Sequence, residues 1–329
     1  MSASVSVRDL EVVYRSKRST VHAVRGVSFD LQRGRILGVV GESGSGKSTI
    51  ARAIARMIPV AGGSIDTESL RAKNKIQMVF QDPNSSLNPR MTVEMALREA
   101  TTLGSNRHTV AALLDYVHLP AALVSRYPHE LSGGQRQRVA IARALAVDPQ
   151  VLIMDEITAA LDVSIQAAVL DTLQELQSEF GFAGLFISHD LAVVQRVCDD
   201  VAVMYLGRIV EHASSAALFS SPQHPYTKAL LASVPGQPRG AAAPAYGEPA
   251  DPSAPPTGCT FHPRCSNGPA SRDDREICHE LSPDSEAGQR IHSAACHFVP
   301  HAPEEIQMLL DPPSETNDVH ARFPTPSER

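Results

Sequence analysis

Gly41-Glu42-Ser43-Gly44-Ser45-Gly46-Lys47-Ser48 fits the pattern G-x-x-x-x-G-K-[ST] at every fixed position. The five residues before it, Ile36 to Val40, are an apolar run of strand length, and Lys47 to Met57 after it carries helical spacing. Strand, glycine turn and helix in that order make an anion cradle. The glycines let the backbone curl so that its N–H groups point inward at phosphate oxygens. The helix opening near Lys47 adds the positive end of its dipole. In such a loop Lys47 reaches the β- and γ-phosphates of a nucleotide and Ser48 ligates Mg²⁺. A chance glycine-rich turn would not bring both flanks with it.

Further along, the apolar run Val151-Leu152-Ile153-Met154 ends in Asp155-Glu156. An Asp at the end of a buried strand can hold Mg²⁺, and the Glu after it is placed to polarise a water for attack on a γ-phosphate. Alone, the pair could be an ordinary helix-start charge cluster; together with the loop it reads as catalytic. Lys75 to Phe80, Ala183 to Ile187 and Val201 to Leu206 are expected as further strands, with helices over Gly134 to Val147 and Ser164 to Phe180. The alternation predicts an α/β core over roughly the first 230 residues. Met91 to Tyr127 reads as wholly helical apart from a Gly104-Ser105-Asn106 break, an insert that would interrupt the alternation.

The discriminating residues lie between these elements. Leu131-Ser132-Gly133-Gly134-Gln135 precedes Arg136-Gln137-Arg138-Val139-Ala140-Ile141-Ala142-Arg143-Ala144-Leu145. Ser-Gly-Gly opening a helix is a second anion site, a hydroxyl beside free N–H groups, although a simple N-cap would use the same Ser. This stretch resembles the signature of ABC ATPases. The resemblance implies a P-loop NTPase of ABC type, with a RecA-like core, an antiparallel β-subdomain, a helical subdomain and a small Cys-rich C-terminal extension. It implies a head-to-tail dimer in which Ser132, Gly133, Gly134 and Gln135 of one subunit cap the ATP held by Gly41, Ser43, Gly44, Ser45, Gly46, Lys47, Ser48 and Thr49 of the other. Gln81, in Phe80-Gln81-Asp82-Pro83, resembles the Q-loop glutamine, near Mg²⁺ together with Ser48 and Asp155. Ala160-Leu161-Asp162 resembles the D-loop, and His189 the switch histidine acting beside the catalytic Glu156. For stacking on adenine, Tyr14 is the choice and His22 the competitor. Two positions depart from the family pattern: Ile157 stands where Pro is usual after the catalytic Glu, and Ala159 where the D-loop usually begins with Ser. Pro59 to Lys75 and Ala100 to His108 look short, so both subdomains should be compact.

Phe80 to Val93, Arg126-Tyr127-Pro128-His129-Glu130, Asp162-Val163-Ser164-Ile165-Gln166 and His224-Pro225-Tyr226-Thr227-Lys228-Ala229-Leu230-Leu231 resemble the dipeptide/oligopeptide importer branch, a pattern that nickel importers and some sugar-oligomer importers share in part. The resemblance implies an ATPase on the cytoplasmic face of the membrane, working with two integral-membrane permease subunits, a second ATPase subunit, identical or homologous, and an extracytoplasmic solute-binding protein. A soluble ABC protein of DNA repair or translation is the rival reading, but it usually carries paired units or long coiled coils. Composition is consistent with this. The 329 residues carry a formal net charge of −6, which argues against a nucleic-acid partner. No apolar run of about 18 residues is present, so attachment to a membrane would come through a partner.

The composition shifts at Pro235: from there to Gly258, 17 of 24 residues are Pro, Gly or Ala, which predicts a linker. The expected division is an ATPase domain over 1–234, a linker over 235–258, a Cys-rich extension over 259–300 and a polar tail over 301–329. The extension carries Cys259, Cys265, Cys278 and Cys296, spaced C-x5-C-x12-C-x17-C. Four thiolates suit a [4Fe-4S] cluster or a Cys₄ zinc site, and spacing does not decide between them. The family resemblance favours the iron–sulfur cluster, as a staple for a segment too small to fold alone.

Overall fold

Strands buried on both faces stack between helices on one side and a smaller sheet on the other. In chain order the elements are β1 (Ala3–Arg15), β2 (Thr20–Gln32), β3 (Ile36–Val40), α1 (Lys47–Ile54), β4 (Gly62–Asp66), β5 (Ile76–Val79), α2 (Val93–Leu103), α3 (Val110–Tyr116), α4 (Gly133–Leu145) and β6 (Val151–Asp155). There follow α5 (Val163–Phe180), β7 (Ala183–Ile187), α6 (Leu191–Val197), β8 (Asp200–Tyr205), β9 (Arg208–Ser214), α7 (Ser215–Ser220), α8 (Pro225–Ala232), α9 (Ile277–Glu280) and β10 (His292–Ala294). The computed structural model describes residues 3–16, 19–67, 70, 75–82, 86–104, 107–233, 245, 247–248, 250–283 and 292–299. The chain divides into Met1–Val299 and Pro300–Arg329. The second unit, half of the expected 235–258 linker, and Ser105-Asn106 lie outside the described residues.

The main sheet has seven strands in the order β10-β9-β8-β3-β7-β6-β5. The five from β8 to β5 run parallel, and β9 and β10 are antiparallel to their neighbours. Side chains alternate across a strand, and here they sort into two cores. Ile36, Val40, Leu152, Met154, Phe186, Val201, Val203 and Tyr205 face α2–α6 and their neighbours. Leu37, Val39, Val151, Ile153, Leu185, Ile187, Ala202 and Met204 face α1 and the second sheet. Parallel strands covered on both faces read as continuous apolar runs, which is why they were visible in the sequence.

The second sheet is antiparallel, ordered β2-β1-β4. In β1 the inward residues are Val5 and Val7, then Leu10 and Val12. The phase changes at an irregularity between Val7 and Leu10, where Asp9 takes φ 47° and its N–H donates to Ser28 Oγ at 2.8 Å.

The expected strands and helices fall within a few residues of the observed ones. The expected interruption falls where α2 ends at its C-cap Gly104; the expectation of helix on to Tyr127 is corrected, since α3 ends at Tyr116 and a 3₁₀ turn, Ala121–Leu123, follows. His118 at φ 52° and Pro120 stop α3 from continuing. Side chains of Thr92, Thr109, Ser132, Asp162 and Asp190 cap α2 to α6, each accepting from an N–H of the first turn. Among the described residues no helix is long and apolar enough to cross a membrane.

Candidate nucleotide site

The glycine loop leaves the carboxyl end of β3 and runs into α1, which no side chain caps. Gly41 has φ 153°, and a Cβ there would stand 2.1 Å from the Met204 carbonyl oxygen. Gly44 has φ 79° and opens on empty space, with nothing within 4 Å of an added Cβ. Lys47, only 5 % exposed, bends back over the loop. Its Nζ donates to the carbonyls of Gly41 (2.8 Å) and Glu42 (2.9 Å). Burial lowers its pKa, against the pull of Glu156, Asp155 and Glu42.

Asp155 sits at the end of β6, also 5 % exposed, and accepts a hydrogen bond from Ser48 Oγ at 2.8 Å. Burial raises its carboxyl above the usual range; the Ser48 bond opposes this and the Glu156 charge adds to it. Glu156 follows at φ 49°, a left-handed conformation that costs a non-glycine residue about 1–3 kcal/mol. Its N–H is tied to Ile187 O at the end of β7 (2.9 Å). This turn sets the carboxylate between two other loops: Gln81 Nε2 donates to Oε2 at 2.9 Å, and His189 Nδ1 lies 3.4 Å from Oε1.

A cleft of about 440 Å³ joins these groups, lined by Tyr14, Gly44, Lys47, Ser48, Gln81 and Glu156 among others. Tyr14, 41 % exposed, reaches to 3.5 Å from Thr49 Oγ1. His22 is exposed on β2 and is not part of the lining. The residues fit a nucleotide's phosphates and Mg²⁺. Gly44 leaves the cradle open, the buried Ser45 hydroxyl has no hydrogen-bond partner among the described residues, and Ser48 and Asp155 offer the hard oxygens Mg²⁺ takes.

The signature residues are not brought to this cleft. Ser132 and Gln135 bond to each other instead: Ser132 Oγ accepts from Gln135 N–H (3.3 Å) and Gln135 Oε1 from Ser132 N–H (2.9 Å). None of Ser132, Gly133, Gly134 or Gln135 lines the cleft. Asp162, exposed, caps α5 by accepting from Ile165 N–H and Ser164 Oγ, which holds its carboxyl below the usual range. Ile157 is 2 % exposed and joins the core; Ala159 is exposed.

Of the four tail cysteines, Cys265 and Cys278 are buried and Cys259 and Cys296 half-buried. Cys259 N–H donates to Cys278 O at 2.9 Å. Burial, aided by repulsion from neighbouring cysteines, pushes Cys259 up to about 12, Cys265 up to about 11 and Cys278 upward, and burial alone pushes Cys296 upward. Among the described residues no three or more His, Cys, Asp or Glu side chains converge so as to hold a metal ion.

Two residues that bear on the loop were missed as site residues. Arg264 forks onto Glu42, Nη1 to Oε2 at 2.9 Å and Nη2 to Oε1 at 3.1 Å, across 222 positions. Tyr226 OH accepts from Glu42 N–H at 3.0 Å. Both lie inside stretches that resemble the importer branch, but nothing local links either to the loop.

A glycine loop on a central parallel strand, with an acid at the end of the strand next but one, defines a P-loop nucleotidase. The profile of the ABC transporter family matches residues 24–159, and that of the oligopeptide/dipeptide transporter C-terminal region matches residues 210–270. The chain is 44 % identical over 309 residues to the oligopeptide transport ATP-binding protein AppF of Bacillus subtilis, covering 87 % of this chain and 92 % of that one. It is 44 % identical over 281 residues to a putative peptide import ATP-binding protein of Brucella ovis, covering 79 % of this chain and 89 % of that one. Among solved structures, the ATP-binding cassette MJ0796, described as a dimer in a post-hydrolysis state bound to ADP and Pi, superposes with TM-score 0.57 at 25 % identity. That match covers 64 % of this chain and 98 % of the cassette. The chain therefore belongs to the ATP-binding proteins of ABC transporters, in the branch that carries the oligopeptide/dipeptide transporter C-terminal region.

Proposed function

We propose that this chain is the ATP-hydrolysing subunit of an ABC importer for dipeptides or oligopeptides. The observation that carries the proposal is the convergence of Lys47, Ser48, Asp155, Gln81 and Glu156 on one cleft. Lys47 exchanges its two carbonyl partners for the β- and γ-phosphates, while Tyr14 offers a π-face to adenine. Ser48, Asp155 and Gln81 are the residues that would hold Mg²⁺, which when bound screens the phosphate charge. Glu156 accepts the proton of the attacking water, and Gln81 and His189 hold its carboxylate in place.

The second half of the site comes from a facing subunit. Ser132, exposed, and Gly133 and Gln135, half-exposed, at the start of α4 and outside the lining of the chain's own cleft, cap the other subunit's ATP together with the buried Gly134, and Asp162 lies at the same interface. The dimeric state of the related cassette MJ0796 supports this reading. Two membrane permeases, a second ATPase of this kind and an extracytoplasmic solute-binding protein complete the assembly, with the chain on the cytoplasmic face. The names of the relatives support peptides as the cargo.

The chain is further read as an ATPase domain over 1–234, a linker over 235–258, a Cys-rich extension over 259–300 and a polar tail. Cys259, Cys265, Cys278 and Cys296 would hold a [4Fe-4S] cluster as a structural staple. The reading rests on four cysteines spaced C-x5-C-x12-C-x17-C, a set that could supply one thiolate to each iron of such a cluster.

Glu156→Gln tests the core of the proposal. Phosphate release should fall by about 10²–10⁴-fold while ATP still binds and traps a dimer on size exclusion. Hydrolysis at the parental rate would remove Glu156 from its role.

A further inference from the structure

The C-terminal segment reaches back to the phosphate loop and grips one residue of it. Phe261 is 2 % exposed and wedges among Tyr205, Tyr226 and His224, with ring centroids 5.3, 5.3 and 5.8 Å away. That anchor fixes the short 3₁₀ turn His262–Arg264 at whose end Arg264 stands, its side chain 9 % exposed. The guanidinium lies 5.8 Å from the Tyr205 ring centre and makes the two-pronged contact with Glu42. Glu42 is the second residue of the glycine loop. Its N–H is held by Tyr226 OH and its carbonyl by the Lys47 ammonium, so three of its polar groups are pinned at once.

We propose that Arg264 is a positioning residue of the phosphate loop: by neutralising and orienting the Glu42 carboxylate it keeps Lys47 and the loop amides available to the nucleotide's phosphates. The electrostatics set the direction. A carboxylate at the mouth of an anion cradle repels incoming phosphate and competes for the lysine meant to receive it. Paired with a guanidinium in a forked contact, it loses most of its outward field and its freedom to turn inward. The effect grows with the charge of the ligand, so it favours triphosphate over diphosphate. It also makes the C-terminal segment a contributor to nucleotide affinity, through a contact no local sequence signal announces.

The inference rests on the glycine loop being the nucleotide site, and the experiment separates the two. ATP and ADP binding are measured by calorimetry on the 329-residue chain carrying Arg264→Met, Arg264→Lys, Glu42→Gln, the double change Arg264→Met with Glu42→Gln, and Lys47→Ala, alongside thermal unfolding. Arg264→Met should weaken ATP about tenfold, a typical coupling between linked sites, and ADP by less. Arg264→Lys should recover part of the loss. Glu42→Gln should restore ATP binding in the Arg264→Met background, because the offending charge is then gone. Parental ATP affinity in Arg264→Met would overturn the proposal. So would a loss that follows the melting temperature and persists in the double variant, since that is what a purely structural contact gives. Lys47→Ala binding ATP as the parent does would instead overturn the nucleotide-site reading itself.

Discussion

Two glycines of the same loop should respond to the same substitution in opposite ways. At Gly41 an added methyl meets the Met204 carbonyl at 2.1 Å, and that oxygen belongs to β8, in the middle of the main sheet. The backbone there cannot yield without disturbing the strand pairing, and φ 153° is strained for any L side chain. Overpacking and strain together come to about 3–5 kcal/mol, a large share of the net stability of an ordinary domain. At Gly44 nothing lies within 4 Å, so only the left-handed φ of 79° opposes alanine. That penalty is roughly 1–2 kcal/mol, offset by up to about 1 kcal/mol from a stiffer unfolded chain. Gly44→Ala should therefore lower the urea midpoint only modestly. It should still weaken ATP binding, because Gly44 lines the cleft and a methyl there would take up part of its open space. Gly41→Ala should lower the midpoint sharply. Equal midpoints for the two variants, or the reverse order, would show that the loop is not packed as described.

Other outcomes follow from the buried titratable groups. His224 is fully enclosed, and burial lowers its pKa to about 4 from 6.5; its Nδ1 accepts from Tyr226 N–H at 3.0 Å. The unfolded chain then binds the extra proton first, so stability rises with pH between about 4 and 6.5 and is flat above. His224→Asn, whose amide oxygen can take the same N–H, should remove on the order of 3 kcal/mol of that slope in urea titrations run at pH 4.5 to 7. An unchanged slope would assign the acid sensitivity elsewhere. Protein purified without oxygen should carry about four iron atoms per chain and little zinc, lost together on Cys265→Ala; zinc in near-unit ratio would reverse that assignment.

How much could be read in advance varied with how local the physics is. The parallel strands announced themselves because burial on both faces leaves no polar residue to interrupt them, as in Val151-Leu152-Ile153-Met154. The pair β1 and β2 had no bounds from the sequence, because the irregularity at Asp9 shifts the apolar phase and hides the alternation. The break after α2 was legible because Gly104 marks it, whereas the end of α3 turned on the backbone angle at His118, which composition does not encode. Within the site, Lys47, Ser48, Asp155 and Glu156 were legible because each belongs to a short motif that follows or ends an apolar strand: Lys47 and Ser48 open α1 after β3, and Asp155-Glu156 closes β6. The grip of Arg264 on Glu42 was not, since 222 residues separate the partners.

The placement of β10 has a practical consequence. Its residues His292, Ser293 and Ala294 pair with Ala213, His212 and Glu211 of β9, so a piece of the far C-terminal region forms the outermost rung of the nucleotide-binding sheet. Shortening the chain ahead of His292 would strip that rung and bare a row of β9 amides and carbonyls, an open template for adding a strand from a neighbouring molecule. A truncated preparation should therefore self-associate, and the smallest well-behaved fragment should extend through Val299.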